Sequence, residues 1–409
     1  MRIFRGKTNE TLFLVVDIGS ASVGAALALS RRDDVPKVIY DTRAFMPFSE
    51  ELTLRRYRSD MLKALRAALD DLRKNGLPHL KFTSLGSLSP RYAYCSLSSP
   101  WYVSQTRMVT RREQIPVRVT RAYIEKIVNE EKKHFLAEEA HKRFPKSDPY
   151  VFEESAMRIT LEGYPVARPE GKRARDVSVT SVFSAAARRT LARVAEEIHS
   201  FGGVETLLAS FPVTSLRAVR AVSGKEGALS ALLLDVGGEV TDVSLVRGGI
   251  IASNASFPVG YRTIVRGLAH DLKTSIAEAR SLLRAEHEGA VSHMHKGRVG
   301  KAIGKREEEW VRGFSSALTR IASSFSVPRS VFFATDPEIA PLVRSLVAKE
   351  EFAQFSMAEE PFDAVAVNAA FLGDVCSFGK YSRRDPFLAA GVVAAETVFG
   401  DGAGENMIK

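Results

Sequence analysis

The chain has 409 residues, 45% of them hydrophobic and 26% charged. This is too much apolar mass for a disordered chain and enough for about two to three domains. Two cysteines, Cys95 and Cys376, exclude a disulfide framework and a cysteine-based zinc site and fit a reducing compartment. The formal net charge of +10 favours an anionic partner, whether a membrane surface, nucleic acid or nucleotide phosphates.

In chain order, the N-terminal apolar run ends at Asp17 with no small-residue cleavage site after it, so no signal peptide is expected. Residues 11–29, TLFLVVDIGSASVGAALAL, read as two strands around an Asp-x-Gly turn, and residues 37–44 predict a third strand. Residues 50–74 predict a helix with Met61, Leu62, Leu65, Leu69 and Leu72 on one face. Then come a short strand over 88–97, a basic strand over 103–119, a helix over 120–135, an alternating strand over 177–183 and a helix over 185–201.

Residues 231–246, ALLLDVGGEVTDVSLV, repeat the opening pattern. A third strand is expected over 250–257 and a helix opening near Tyr261. A strand–turn–strand–strand–helix unit thus occurs once in each half, which predicts two related α/β domains facing each other. The stretch SHMHKGRVGK contains an H-x-H, His293 and His295; it reads as a loop with no third metal ligand. Residues 331–334 predict a strand running into Thr335, Asp336 and Pro337. YSRRD, 381–385, reads as a hinge. The longest approach to a membrane helix is the ten-residue run 386–395, PFLAAGVVAA, well short of the roughly 20 residues a span needs. The last residues, GDGAGENMIK, read as disordered.

An apolar strand entering Asp-x-Gly delivers a carboxylate at its end, and glycine lets backbone N–H groups approach an anion closely. Two such turns across a cleft would hold a phosphate chain, with Asp17 and Asp235 holding hydrated Mg²⁺ against it. The plainer alternative is two ordinary hairpins. The recurrence in matching context favours the first.

DIGSASVG and DVGGEVTD resemble the phosphate-1 and phosphate-2 loops of the actin-like ATPase superfamily. Within it, the stretch VSLVRGGIIASNASFPVGYRTIVRGLA is similar to the cell-division protein FtsA and its pilus relative PilM. The resemblance implies an α/β actin-like fold, two related domains around a nucleotide cleft with an SHS2-like α+β insertion. Residues 1–80 would form the first domain, completed by about 188–228 and 365–409; the insertion would span 81–187. The second domain would take 229–265 and 325–364, with a subdomain over 266–324. The resemblance implies ATP as ligand, with Gly19, Ser20, Ala21, Gly237, Gly238, Thr241 and Thr335 as nucleotide-binding positions and Asp17 and Asp235 holding Mg²⁺ through water.

Three departures matter. Glu239 sets an acid where phosphate would meet bare backbone, a repulsion of about 1–4 kcal/mol unless Mg²⁺ offsets it or the side chain points away. Gly24 stands where PilM-like sequences carry lysine, and Thr335, Asp336 and Pro337 replace the glycines that let adenine lie on backbone. No catalytic base stands out over 211–221, so hydrolysis is expected to be weak or absent, and a small-molecule kinase of the same superfamily lacks its base.

The function implied is an FtsA-like adaptor in bacterial cell division, cytoplasmic and peripheral at the inner face of the membrane; the alternative is a PilM-like component of a type IV pilus or secretion platform. ENMIK is too short for the amphipathic anchor of FtsA proteins, which moves weight toward the pilus reading. Expected partners are a tubulin-like division protein or a pilus membrane-protein peptide, with self-association. An anionic membrane surface would meet the basic clusters Arg107, Arg111, Arg112, Arg118 and Arg121; Arg168, Lys172, Arg173 and Arg175; and Lys296, Arg298, Lys301, Lys305 and Arg306. Aromatic interleaving is sparse, so no nucleic-acid partner is expected.

Overall fold

The computed structural model describes residues 10–32, 34–48, 53–81, 89–224, 229–287 and 293–400; the tail expected to be disordered lies outside them from residue 401 on. The chain opens with an antiparallel meander, β1 (Glu10–Ile18), β2 (Ser22–Arg31) and β3 (Lys37–Phe45). The helix Leu54–Asp71 follows, with Thr53 accepting the Arg56 N–H at its start. It buries Met61, Leu65 and Leu69 against that sheet, the face expected from their spacing.

β4 (Tyr92–Leu97) then runs parallel to β1, with Cys95 beside Val16. This strand was expected in the insertion but belongs to the first sheet: its residues 93–97 are fully buried, as an interior parallel strand requires. The inserted layer comprises β5 (Val103–Arg118), the helix Arg121–Phe135, β6 (Pro149–Leu161), β7 (Tyr164–Pro165) and β8 (Arg173–Ala187). Its antiparallel sheet, ordered β5-β8-β6-β7, packs on that helix through Ile127, Phe135 and Phe183. The helix Arg188–His199 leads to β9 (Glu205–Ser210), which closes the first sheet, and the helix Phe211–Ser223 leads out of it.

The second half repeats the plan. β10 (Ala231–Val236), β11 (Thr241–Arg247) and β12 (Ile250–Phe257) form the meander. The helices Tyr261–Leu272, Ile276–His287 and His293–Ala322 follow, and β13 (Ser330–Thr335) and β14 (Asp363–Ala366) add in parallel. The sheet orders β3-β2-β1-β4-β9 and β12-β11-β10-β13-β14 match, strand for strand and sense for sense. The first sheet carries one strand more, β15 (Ser377–Tyr381), parallel to β3.

Two loop expectations are corrected. The stretch read as a loop, residues 292–301, is helical from residue 293 on, inside His293–Ala322, because Val299, Ala302, Ile303, Trp310 and Phe314 recur on one face and are buried. The side chains of His293, His295 and Lys296 lie outside the described set. The stretch 381–385 is no hinge, since the Asp41 carboxylate accepts from Ser382 Oγ, Arg383 N and Asp385 N and fixes it. Asp385 then caps the helix Pro386–Phe399 by accepting from Phe387 N and Leu388 N. That helix holds the ten-residue apolar run, buried against Phe13 and Val15 of β1. No described helix is long and apolar enough to cross a membrane.

Candidate functional site: the cleft between the two lobes

The central strands β1 and β10 end at equivalent points. Asp17 pairs with Gly24 across the β1–β2 ladder, and Asp235 pairs with Asp242 across β10–β11. The turns beyond them close alike: Gly19 N donates to Ser22 O and Gly237 N to Val240 O, both at 3.0 Å. The repeat seen in the sequence is thus one hairpin built twice, and the structure brings Gly19, Ser20, Ala21, Gly237 and Gly238 together at the floor of a cavity of about 430 Å³, with Asp17 and Asp235 beside them.

The two turns touch directly. Glu239 N donates to Ser20 Oγ at 2.9 Å, and a Cβ on Gly238 would lie 2.1 Å from that of Ala21. Gly260 seals the second turn from behind and fits there only because it lacks a side chain, since a Cβ would lie 2.4 Å from Gly237 O. Tyr261 N and Arg262 N donate to Gly237 O and Gly238 O. The Arg262 guanidinium crosses to the first lobe and donates to Met46 O at 2.6 Å and Pro47 O at 3.2 Å. From the other side, Tyr57 Oη donates to Ser20 O and Trp101 Nε1 to Gly19 O, their rings stacked at 4.6 Å.

Asp17 is 1% exposed and its carboxylate already holds a cation. Arg43 Nη2 donates to Asp17 Oδ2 at 2.9 Å, while its Nε and Nη2 grip Asp385 at 2.5 and 2.9 Å and its Nη1 reaches Ser22 Oγ. Arg43 stands opposite Gly24 in the β2–β3 register, and a Cβ on Gly24 would lie 2.8 Å from its Nη2. With no side chain, Gly24 leaves room for Arg43 in this position. Burial pushes the Asp17 carboxyl up and the Arg43 charge pulls it back. Burial alone would lower the Arg43 guanidinium, but the Asp385 and Asp17 charges hold it above its ordinary value.

Asp235, 6% exposed, has a buried Oδ1 with no hydrogen-bond partner. Burial, and then the charge of Asp242, hold it well above the carboxylate range. Asp242 is pushed up to about 6 by burial, although Ser99 Oγ, at 2.8 Å, and Ser99 N donate to it. Glu239 does not face the cavity: Arg266 Nη1 donates to its Oε1 at 2.8 Å, Arg266 Nη2 to its Oε2, and Thr263 Oγ1 lies at 3.5 Å.

Two expected positions lie elsewhere. Thr241 Oγ1 donates to Val259 O and accepts from Trp310 Nε1, on the core side of the second sheet. Thr335 Oγ1 donates to Val236 O and lines a neighbouring cavity with Pro337 and Ala340. The residues present do not fit a magnesium-bound triphosphate: a guanidinium stands on Asp17, the two turns are in contact, and both threonine hydroxyls are used by the fold. Among the described residues, no group of three or more histidines, cysteines or carboxylates is placed to hold a metal ion. Sequence reasoning missed Arg43 and Asp385; the signal was a glycine in one strand facing an arginine in the next, and an Asp-Pro helix start.

No protein-family model matches the chain, and no curated protein does. Solved structures do. The PilM-PilN type IV pilus biogenesis complex is similar at 15% identity over 94% of this chain and 98% of that one, with a TM-score of 0.62. The diol dehydratase-reactivating factor in nucleotide-free form gives 10% identity over 94% and 99%, with a TM-score of 0.47. The MamK double helical filament gives 9% over 95% and 98%, also with 0.47. With the doubled sheet order and the facing hairpins, the full-length likeness at the higher score identifies the architecture: this chain has the actin-like ATPase fold.

Proposed function

We propose that the protein is an actin-fold adaptor of the PilM kind, a non-hydrolysing scaffold at the cytoplasmic face of a membrane that docks a peptide of a pilus or secretion-platform membrane protein. The observation that carries this reading is the likeness to the chain of a PilM-PilN complex, end to end, at TM-score 0.62. It has further support in the inserted β5–β8 layer, an SHS2-like module in this reading, and in the cleft, where Arg43 takes the carboxylate that a metal would need. The helix Phe211–Ser223, beside the cleft, offers no carboxylate or histidine to activate water. An FtsA-like role in cell division, with a tubulin-like partner and an anionic membrane surface, is the second reading; Arg107, Arg111 and Arg112 of β5 pair with acidic side chains of this chain, which weighs against β5 as the membrane contact.

The test is a binding titration of the full chain against the cytoplasmic peptides of the pilus membrane proteins encoded beside it, in parallel with the tubulin-like division protein of the same cell. Micromolar binding to such a peptide alone is expected. Binding to the division protein with none to the peptides rejects the pilus reading.

A further inference from the structure

We propose that the cleft is a binding site for an uncharged, flat apolar ligand, and that Arg43, clamped between Asp17 and Asp385, withholds the carboxylate a metal-bound polyphosphate would need. This goes beyond the adaptor reading and does not rest on it.

The charges argue first. Three guanidinium groups line the cavity, and each is engaged. Arg43 lies between two carboxylates. Arg262 serves the carbonyls of Met46 and Pro47 and lies 4.3 Å over the Phe48 ring. Arg280 donates to Glu338 at 2.9 Å and to Tyr261 Oη at 2.8 Å. Asp235 and Asp336 line the same space, and no ion pair within 4.0 Å is formed by either among the described residues. A polyanion entering here finds every guanidinium of the lining already engaged, so its charge would leave water without a counter-charge to meet it.

The walls argue next. Phe45, Phe48 and Phe387 face the cavity together with Met46, Pro337 and Pro386. Phe45 is 64% exposed at the mouth, a large apolar ring without a covering partner. A mostly apolar cavity with few convergent polar groups is the usual form of a small-molecule site, and about 430 Å³ lies within the range such sites take. The polar anchor is Asp235, buried on this wall with Oδ1 unpartnered, an acceptor for one N–H or O–H at the edge of a flat ring.

The experiment uses the full chain, with N-phenyl-1-naphthylamine, a neutral aromatic dye carrying one N–H, as the probe and Mg²⁺–ATP as the competitor. Wild type should show a saturable rise in dye emission that millimolar Mg²⁺–ATP leaves unchanged. Phe387→Ser and Phe45→Ser should each weaken the dye by about five- to tenfold, the worth of one aromatic contact. Phe45→Ser changes a ring outside the core, so it keeps the test valid should Phe387→Ser fail to fold. Arg43→Ala frees the Asp17 carboxylate and should bind Mg²⁺ more tightly than wild type by calorimetry, and a folded variant that does not overturns the role given to Arg43. Displacement of the dye by Mg²⁺–ATP in wild type, no saturable dye binding, or affinities unchanged in a folded Phe45→Ser variant would each overturn the proposal. The peptide titration reads out independently of all of these.

Discussion

Replacing Gly238 with alanine tests whether the two turns meet without anything between them. The new methyl would start 2.1 Å from the Ala21 Cβ, a separation no pair of carbons tolerates, so one turn must move. Overpacking of this kind costs about 1–3 kcal/mol. Movement also stretches the bond from Glu239 N to Ser20 Oγ, now 2.9 Å, worth about 1 kcal/mol more. Against this, Gly238 is not in the left-handed region, so alanine fits its backbone and reduces unfolded-state freedom by about 0.4–1 kcal/mol.

The net loss expected for Gly238→Ala is about 1–3 kcal/mol. Ala21→Gly removes the opposing methyl, leaving Ala21 Cα and N at 3.3 and 3.4 Å as the next contacts, which small shifts absorb. The double variant should therefore recover most of the loss. Urea unfolding of the four proteins gives the coupling, expected at about 1 kcal/mol or more; additivity within about 0.5 kcal/mol would show that the turns do not touch in solution.

Asp242→Asn addresses the buried acid pair. With a folded pKa of about 6 against 3.8, native Asp242 binds its proton more readily than unfolded Asp242, so stability falls as pH rises through that window and the cost is complete above it. The variant should gain up to about 3 kcal/mol at pH near 7.5 and little near pH 4, read by urea unfolding at both, and an equal change at the two values would contradict the assignment. Glu153→Ala strips the acceptor from Ser184 Oγ, Ser210 Oγ and Ser210 N, where β6 meets the start of the helix Phe211–Ser223. It should cost about 2–4 kcal/mol and speed proteolysis within β5–β8, with Glu153→Gln milder in both assays. Gly391→Val sets a side chain against Val15 Cγ1, 2.7 Å from the new Cβ, and should lower stability by about 1–3 kcal/mol, whereas a lipid-facing helix would accept it unchanged.

The fold was legible because its strongest signal is local and doubled. TLFLVVDIG and ALLLDVGG each carry an uninterrupted apolar run of the kind an interior strand needs, and each run ends in the same turn. The helix at 54–71 followed from spacing alone. Elsewhere the text misled for physical reasons. Residues 293–302 are rich in His, Lys and Gly, which lowers helix propensity, yet Val299 and Ile303 bury a face and tertiary packing prevails. The first residues of β4, YAY, carry no turn signal that would assign them to one sheet or another. In the cleft, Asp17 and Asp235 were visible as strand-end carboxylates, but their surroundings depend on Arg43, 26 positions from Asp17, and on Asp385, 342 positions from Arg43.

The Gly24–Arg43 pairing carries a general lesson about reading polar sites in sheets. A long basic side chain can lie across the neighbouring strand when the residue on the same rung ends at a hydrogen. A pattern scanned along one segment registers the glycine and overlooks the guanidinium that lies over it. Finding such pairs means comparing rungs, not stretches: a small residue on one strand weighed jointly with the long basic residue across from it.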